Sequence, residues 1–257
     1  MKAKGKVIGI INPKGGIGKS TLTLHIAMGL HHIRVFNPNK SNNRVVLLDT
    51  DTPQYSLVNL RKIESDSLKN NSILAYKEKY DSIYTDGFEP LSINPKFISE
   101  IVESLELIKN EYDFTIVDVG AKLCDKDFNE DFLKYFDYIL IPMNEDFEKQ
   151  RITVEFVEKI IIPSSKKLGF EYDVVLNNIH HTKETYSKNL KKILENNGVR
   201  FLNTLISKKD KYVSYKFDEP TGMYSSLIYT YDEPIYELID EIINKFNVDE
   251  INSLDTH

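Results

Sequence analysis

Short, nearly continuous apolar runs punctuate the chain at Val7–Ile11, Val45–Leu48, Phe114–Val117, Tyr138–Ile141, Val174–Leu176 and Phe201–Ile206. Runs of this length without polar alternation are expected of parallel strands buried on both faces. Between several of them the apolar positions switch to helical spacing, as at Ile98, Ile101, Val102, Leu105 and Ile108, or at Ile152, Phe156 and Ile160. Leu190, Ile193 and Leu194 form a third set, closed by Asn197-Gly198 as a helix stop. Ile235, Leu238, Ile239, Ile242 and Phe246 form the last. Strand alternating with helix predicts an α/β fold, a doubly wound and mostly parallel sheet with helices on both faces. No internal repeat or linker divides it, so residues 1–257 read as a single domain. Two stretches carry weaker signals. Residues 61–97 have mixed charge, few periodic cues and no evident strand. Residues 208–232, rich in Lys, Tyr, Asp and Gly, read as a long loop before the C-terminal helix.

The first apolar run leads directly into Asn12-Pro13-Lys14-Gly15-Gly16-Ile17-Gly18-Lys19-Ser20-Thr21. Strand, glycine-rich turn and helix is the context of a phosphate-binding loop, and the fold class narrows to a P-loop NTPase. Glycines let consecutive backbone N–H groups converge on phosphate oxygens, and the following helix adds the positive end of its dipole. Gly15, Gly16, Ile17, Gly18, Lys19, Ser20 and Thr21 are the candidate nucleotide-binding residues. Lys19 would reach the β- and γ-phosphates, and the Ser20 hydroxyl would ligate Mg²⁺. Pro13 stands where the ordinary motif has glycine, and Lys14 precedes the paired glycines. Six fixed positions of this kind arise by chance in roughly one chain in ten thousand or fewer, which sets aside a plain glycine turn.

Two further strands end in acid. Leu47-Leu48 runs into Asp49-Thr50-Asp51-Thr52-Pro53-Gln54, and Phe114–Val117 runs into Asp118-Val119-Gly120. Carboxylates there lie at the carboxyl edge of the sheet beside the loop, where they would hold Mg²⁺ or orient a water. A parallel strand ending in Asp is a weak signal alone. Asp118, at the right distance from the loop, joins Ser20 as a metal candidate, and Gly120 would sense the γ-phosphate through its backbone.

Lysine before Gly-Gly-x-Gly-Lys-Ser/Thr resembles the loop of the ParA/MinD-type deviant Walker A ATPases, with the partition (ParA-like) branch the nearer. The resemblance runs from residue 6 to about 206, with motifs in family order. It implies an ATP hydrolase that binds ATP and Mg²⁺ and forms a homodimer on ATP binding. Lys14 would reach across that dimer to the partner's nucleotide. The Asp-x-Asp then Pro-Gln pattern matches with Thr52 inserted, which gives Asp51 the hydrolytic role and Asp49 the place of its Mg²⁺-side neighbour. Lys14, Lys19 and Asp51 are thus the catalytic candidates. Asn177 matches the asparagine that contacts adenine, with Asn178 beside it as an alternative. Residues 31–43 look like a surface insertion in a link that is brief in the family. The implied biology is DNA segregation of a plasmid or mobile element, with a DNA-bound ParB-like adaptor as partner and non-specific DNA contacted through Lys208, Lys209 and Lys211. The alternatives are a MinD-like positioning ATPase, or a conjugation accessory ATPase without direct DNA binding.

Composition trims these options. A formal net charge of −6 argues against coating DNA by bulk electrostatics, so any DNA contact needs a local patch. The single cysteine, Cys124, excludes an intrachain disulfide, a multi-cysteine metal site and the two-cysteine bridge of nitrogenase-iron-protein relatives. The histidine pairs His31-His32 and His180-His181 lack carboxylate or thiol companions at ligand spacing. No apolar run approaches a membrane span, and the first strand begins too early for a signal peptide. The expectation is a cytoplasmic protein with nucleoid association and no membrane contact. The end of the chain agrees. Asp232, Glu233, Glu237, Asp240, Glu241, Asp249, Glu250 and Asp255 outnumber Lys245, and anionic lipid would repel such a helix.

Overall fold

The structure is a computed structural model that describes residues 5–33, 43–69, 74–84, 88–121, 130–212 and 225–254. Each apolar run is a strand: β1 (Lys6–Ile10), β2 (Val45–Asp49), β4 (Phe114–Asp118), β5 (Tyr138–Met143), β6 (Glu171–Ile179) and β7 (Phe201–Ser207), with β3 (Ser92–Pro95) added at one edge. They form one seven-stranded sheet in the order β3-β2-β4-β1-β5-β6-β7. Every pairing is parallel. The helices are α1 (Lys19–His31), α2 (Ser56–Lys69), α3 (Leu74–Ile83), α4 (Ile98–Glu111), α5 (Phe147–Phe156), α6 (Ile162–Leu168), α7 (Glu184–Asn196) and α8 (Glu233–Leu254), with a π turn at Val157–Ile161 joining α5 to α6.

Two apolar layers sandwich the sheet, as strand alternation requires. Ile8, Ile10, Leu47 and Ile116 point into the layer that holds α1 and α8. Val7, Val46, Leu48 and Val117 point into the layer that holds α4 and the π turn. Helix α1 is apolar nearly all round and is buried along almost its whole length, so it lies between sheet and α8 rather than on the surface. Along α8, Ile235, Leu238, Ile239 and Ile242 face the core. The α8 carboxylate of Glu241 accepts the backbone N–H groups of Asn203 and Thr204 at 2.7 Å each, which satisfies the outer edge of β7.

β1 lies between β4 and β5, so the strand order reverses at the end of β1 and a crevice opens at the carboxyl edge. The phosphate loop leaves β1 at that point.

The structure departs from the sequence reading in two places. Residues 61–97 contain most of α2, all of α3 and strand β3. β3 reads Ser-Ile-Asn-Pro and is half exposed, so it has no apolar run to announce it, and the terminal proline suits an edge. The 31–43 stretch is not surface throughout. His31 and His32 are buried, His31 stacking on Phe88 at 4.8 Å and His32 on Tyr229 at 5.5 Å. Burial pushes the His32 imidazole down to about 3, so the ring is neutral and packs as an aromatic. Residues 34–42 lie outside the described residues. In 208–232, Asp210–Tyr212 forms a 3₁₀ turn, and Leu227, Ile228 and Tyr229 are core residues. Cys124 lies outside the described residues. Among the described residues no helix is long and apolar enough to cross a membrane.

Candidate nucleotide-binding site

The loop is held open by its own sequence. Gly16 and Gly18 take φ values of +69° and +85°, a left-handed backbone that side chains resist. Gly18 caps α1 without a side-chain hydrogen bond, so the first N–H groups of the helix are left for an anion. Asn12 sets the entry. Its Oδ1 accepts the Lys14 N–H at 2.8 Å, while its Nδ2 donates to the Pro142 carbonyl at 3.0 Å and to Thr153 Oγ1 at 2.8 Å.

Three other side chains hold the carbonyls of the loop. Lys19 Nζ donates to the Lys14 carbonyl at 3.1 Å, Lys149 Nζ to that of Gly16 at 3.2 Å, and Asn177 Nδ2 to that of Ile17 at 2.9 Å. A Cβ on Gly18 would come 2.7 Å from Asn177 Nδ2, so the glycine is required sterically as well as conformationally.

The crevice is a cavity of about 380 Å³. Gly15, Gly16, Gly18, Lys19, Ser20 and Thr21 line one side, and Asp51, Gln54, Asp118 and Gly120 the other. Lys14 is half-buried and is not among the lining residues. The Ile17 side chain is buried in the core, so only its backbone belongs to the loop's work.

The three acids separate. Asp118 is 1% exposed. Its Oδ1 accepts from Thr23 Oγ1 at 3.3 Å, while its Oδ2 is buried without a hydrogen-bond partner. Burial drives its carboxyl up to about 6; the Ser20 hydroxyl pulls it back, neighbouring Asp49 raises it further and Lys19 lowers it. An orphaned, buried carboxylate oxygen beside a serine hydroxyl suits a hard divalent cation with oxygen ligands. Asp49 is different. Its oxygens accept the N–H groups of Asp51 at 3.2 Å, Leu57 at 3.0 Å and Val58 at 3.3 Å. The carboxylate ties the strand end to the start of α2 and is not among the residues that line the cavity. Burial raises its carboxyl, and those N–H groups oppose the rise. Asp51, two residues on, lines the cavity from above.

A second cavity of about 150 Å³ adjoins the first, sharing Gly18 and Thr21, and is bounded by Asn177, Asn178, Lys208, Lys209 and Tyr212. Asn178 has φ +59°. The expected lysine cluster is therefore split. Lys208 is exposed. Lys209 pairs with the buried Asp232 at 3.2 Å, and Tyr212 hydrogen-bonds the same carboxylate, so Lys209 is committed to fastening the segment before α8. The Lys211 side chain lies outside what the structure describes. Asn12, Lys149 and Thr23 were not assigned from sequence. Asn12 at least stood at the head of the motif, whereas Lys149 looks like any surface lysine of a helix.

Known proteins share this fold. The family model of the ATPase MipZ matches residues 6–157, more than half of the chain. The MinC:MinD cell division complex of Aquifex aeolicus superimposes with a TM-score of 0.63 at 20% identity, covering 93% of this chain and 96% of that one. A plasmid partition protein from Borrelia burgdorferi gives 0.55 at 23% identity, covering 95% and 99%. The pNOB8 ParA bound to nonspecific DNA gives 0.55 at 18%, covering 93% and 99%. With its lysine-bearing loop, acidic strand ends and parallel sheet, the chain belongs to the MipZ family of ParA/MinD-type P-loop ATPases.

Proposed function

We propose that the chain binds and hydrolyses ATP with Mg²⁺ and that the ATP-bound form pairs with a second copy, a switch serving segregation of a plasmid or mobile element. The observation that carries this reading is the convergence of Lys19, Ser20, Asp51 and Asp118 on one cavity beneath an uncapped helix N-terminus. The triphosphate occupies that cavity, with its β- and γ-oxygens against the N–H groups of Gly15–Thr21 and Lys19. The base occupies the adjoining cavity beside Asn177 and Asn178. Ser20 Oγ and Asp118 Oδ2 would hold Mg²⁺, which would supply positive charge against the phosphate oxygens. Asp51 orients the attacking water, and Gly120 offers its N–H to the terminal phosphate. Lys14, set outside the cavity of its own chain, serves the partner's nucleotide.

A MinD-like role at a membrane fits less well, because α8 is acidic, buries its apolar face on the sheet and spends Lys245 on Asp173 at 3.1 Å. For DNA, the engagement of Lys209 by Asp232 favours contact through a DNA-bound adaptor, with Lys208 supplementing it in the dimer. The protein then acts in the cytoplasm at the nucleoid. Melting with and without Mg²⁺-ATP, and size measurement with ATP, test the reading. Lys19→Ala should lose most of the ATP-dependent rise in melting temperature, since only native-state binding produces it. Lys14→Ala should keep that rise and form the dimer poorly. An undiminished rise in Lys19→Ala refutes the site.

A further inference from the structure

Thr50 stands between Asp49 and Asp51 and is 3% exposed. Its hydroxyl donates to the Asp118 carbonyl at 2.7 Å and accepts the Gly120 N–H at 3.4 Å. Its own N–H donates to the same Asp118 carbonyl at 3.2 Å. The β2–β4 pairing ends at Asp49 and Asp118, so beyond that register this one side chain laces together the two loops that bear the acids. Burial alone would be met by valine or alanine, and the strand register does not ask for a hydroxyl. The hydroxyl is used twice, once as donor and once as acceptor.

The bond from Gly120 is long, at the weak end of hydrogen bonding. Gly120 also lies flush against the acid of the other loop: a Cβ there would come 2.9 Å from Asp51 Oδ1 and 3.2 Å from Asp51 Cα. Both residues line the phosphate cavity. A phosphate oxygen at Gly120 is a charged acceptor, and charge-assisted bonds are about twice as strong as neutral ones. The Gly120 N–H would therefore leave the Thr50 hydroxyl for the terminal phosphate. A shift of Gly120 toward the other loop would press on Asp51, which leaves no room for a side chain there, while Thr50 holds the Asp118 carbonyl.

We propose that Thr50 is a positioning residue that couples recognition of the terminal phosphate at Gly120 to the placement of Asp51 for hydrolysis. This rests on the ATP-hydrolysis reading of the cavity. Thr50→Val keeps the shape and removes both hydroxyl bonds, whereas Thr50→Ser keeps the hydroxyl. In steady-state assays Thr50→Val should lower kcat by about 10- to 100-fold, the scale of a small misplacement at a reacting centre. Its affinity for ADP, which lacks the terminal phosphate, should stay within about 3-fold of wild type. Thr50→Ser should retain most of kcat. Wild-type kcat in Thr50→Val, an ADP affinity that falls in step with kcat, or equal damage in Thr50→Ser would each overturn the proposal. Should Thr50→Val not fold, Thr50→Ala against Thr50→Ser makes the same comparison. If wild type itself hydrolyses no ATP, the hydrolysis reading fails instead. The Thr50 link is then read from the extra thermal stabilisation that a non-hydrolysable ATP analogue gives over ADP, and an identical increment in Thr50→Val and wild type overturns it.

Discussion

Asp118 should make the empty protein less stable than it need be. Its carboxyl rises from the ordinary 3.8 to about 6 on folding, chiefly through burial, which corresponds to a penalty of about 3 kcal/mol on the charged form. A raised carboxyl binds its proton more tightly in the folded state than in the unfolded one. Its cost is therefore nil well below pH 4, grows as pH rises through 4 to 6, and is complete above about pH 7. Asn at this position has the same outline and no charge, and its removal of the negative charge also relieves neighbouring Asp49, whose own burial raises it. Metal- and nucleotide-free Asp118→Asn should thus melt above wild type at pH 8, by about 6–12 °C if a chain of this size gains 2–4 °C per kcal/mol. The advantage should fall to about a third by pH 4.5 and vanish only well below pH 4. Mg²⁺-ATP should reverse the ranking by stabilising wild type and barely stabilising the variant. Thermal melts of both proteins across pH 4.5–8, in EDTA and then in Mg²⁺-ATP, give all of these quantities. A variant less stable than wild type at pH 8 in EDTA, or a difference that does not change with pH, would refute the reasoning.

Two other perturbations separate binding, chemistry and scaffolding. Asp51→Ala should leave the ATP-dependent rise in melting temperature near wild type while slowing turnover by about 100-fold or more, as loss of a water-orienting group does, and size measurement should find it accumulating as the ATP-bound dimer; a weakened ATP shift would mean that Asp51 serves binding. Lys209→Met should destabilise the protein by about 2–4 kcal/mol in urea titration by removing the cation paired with the buried Asp232, whereas Lys208→Met should be nearly silent there and lower retention on DNA at low salt instead; the reverse pattern would restore Lys209 to a DNA-facing role.

The phosphate loop was legible because its chemistry fixes residue types at consecutive positions: glycine where φ is positive, lysine and serine where phosphate and metal sit. Buried parallel strands were legible because both faces are apolar. What stayed hidden was the polar interior. Helix α2 buries Leu57 and Leu60 and then, where periodicity asks for another apolar residue, Glu64. That carboxylate takes the Tyr76 hydroxyl at 2.8 Å and the Ser226 N–H at 2.8 Å, and Arg61 adds a bond to Ser226 Oγ at 2.9 Å. The segment before α8 is thereby fastened to a helix some 160 positions earlier, and no local window contains both halves. His31, His32 and Lys209 misled for the same reason, since a side chain reads as solvated until the fold brings it a partner.

The acids at the strand ends show how structure resolves what spacing leaves degenerate. Asp49 and Asp118 occupy equivalent positions, paired across β2 and β4, and both are buried. From sequence they are interchangeable metal candidates. Donors tell them apart. Asp49 receives three backbone N–H groups, enough to hold a buried carboxylate without help from a ligand. Asp118 takes the Thr23 hydroxyl on Oδ1 and has the Ser20 hydroxyl beside it, with no backbone N–H, and its Oδ2 is buried without a hydrogen-bond partner. An unmet carboxylate oxygen inside a protein is costly, and a fold whose sole concern was stability would remove it. Its retention beside Ser20, at the floor of the cavity under the loop, is intelligible if the missing partner is a cation that arrives with the nucleotide.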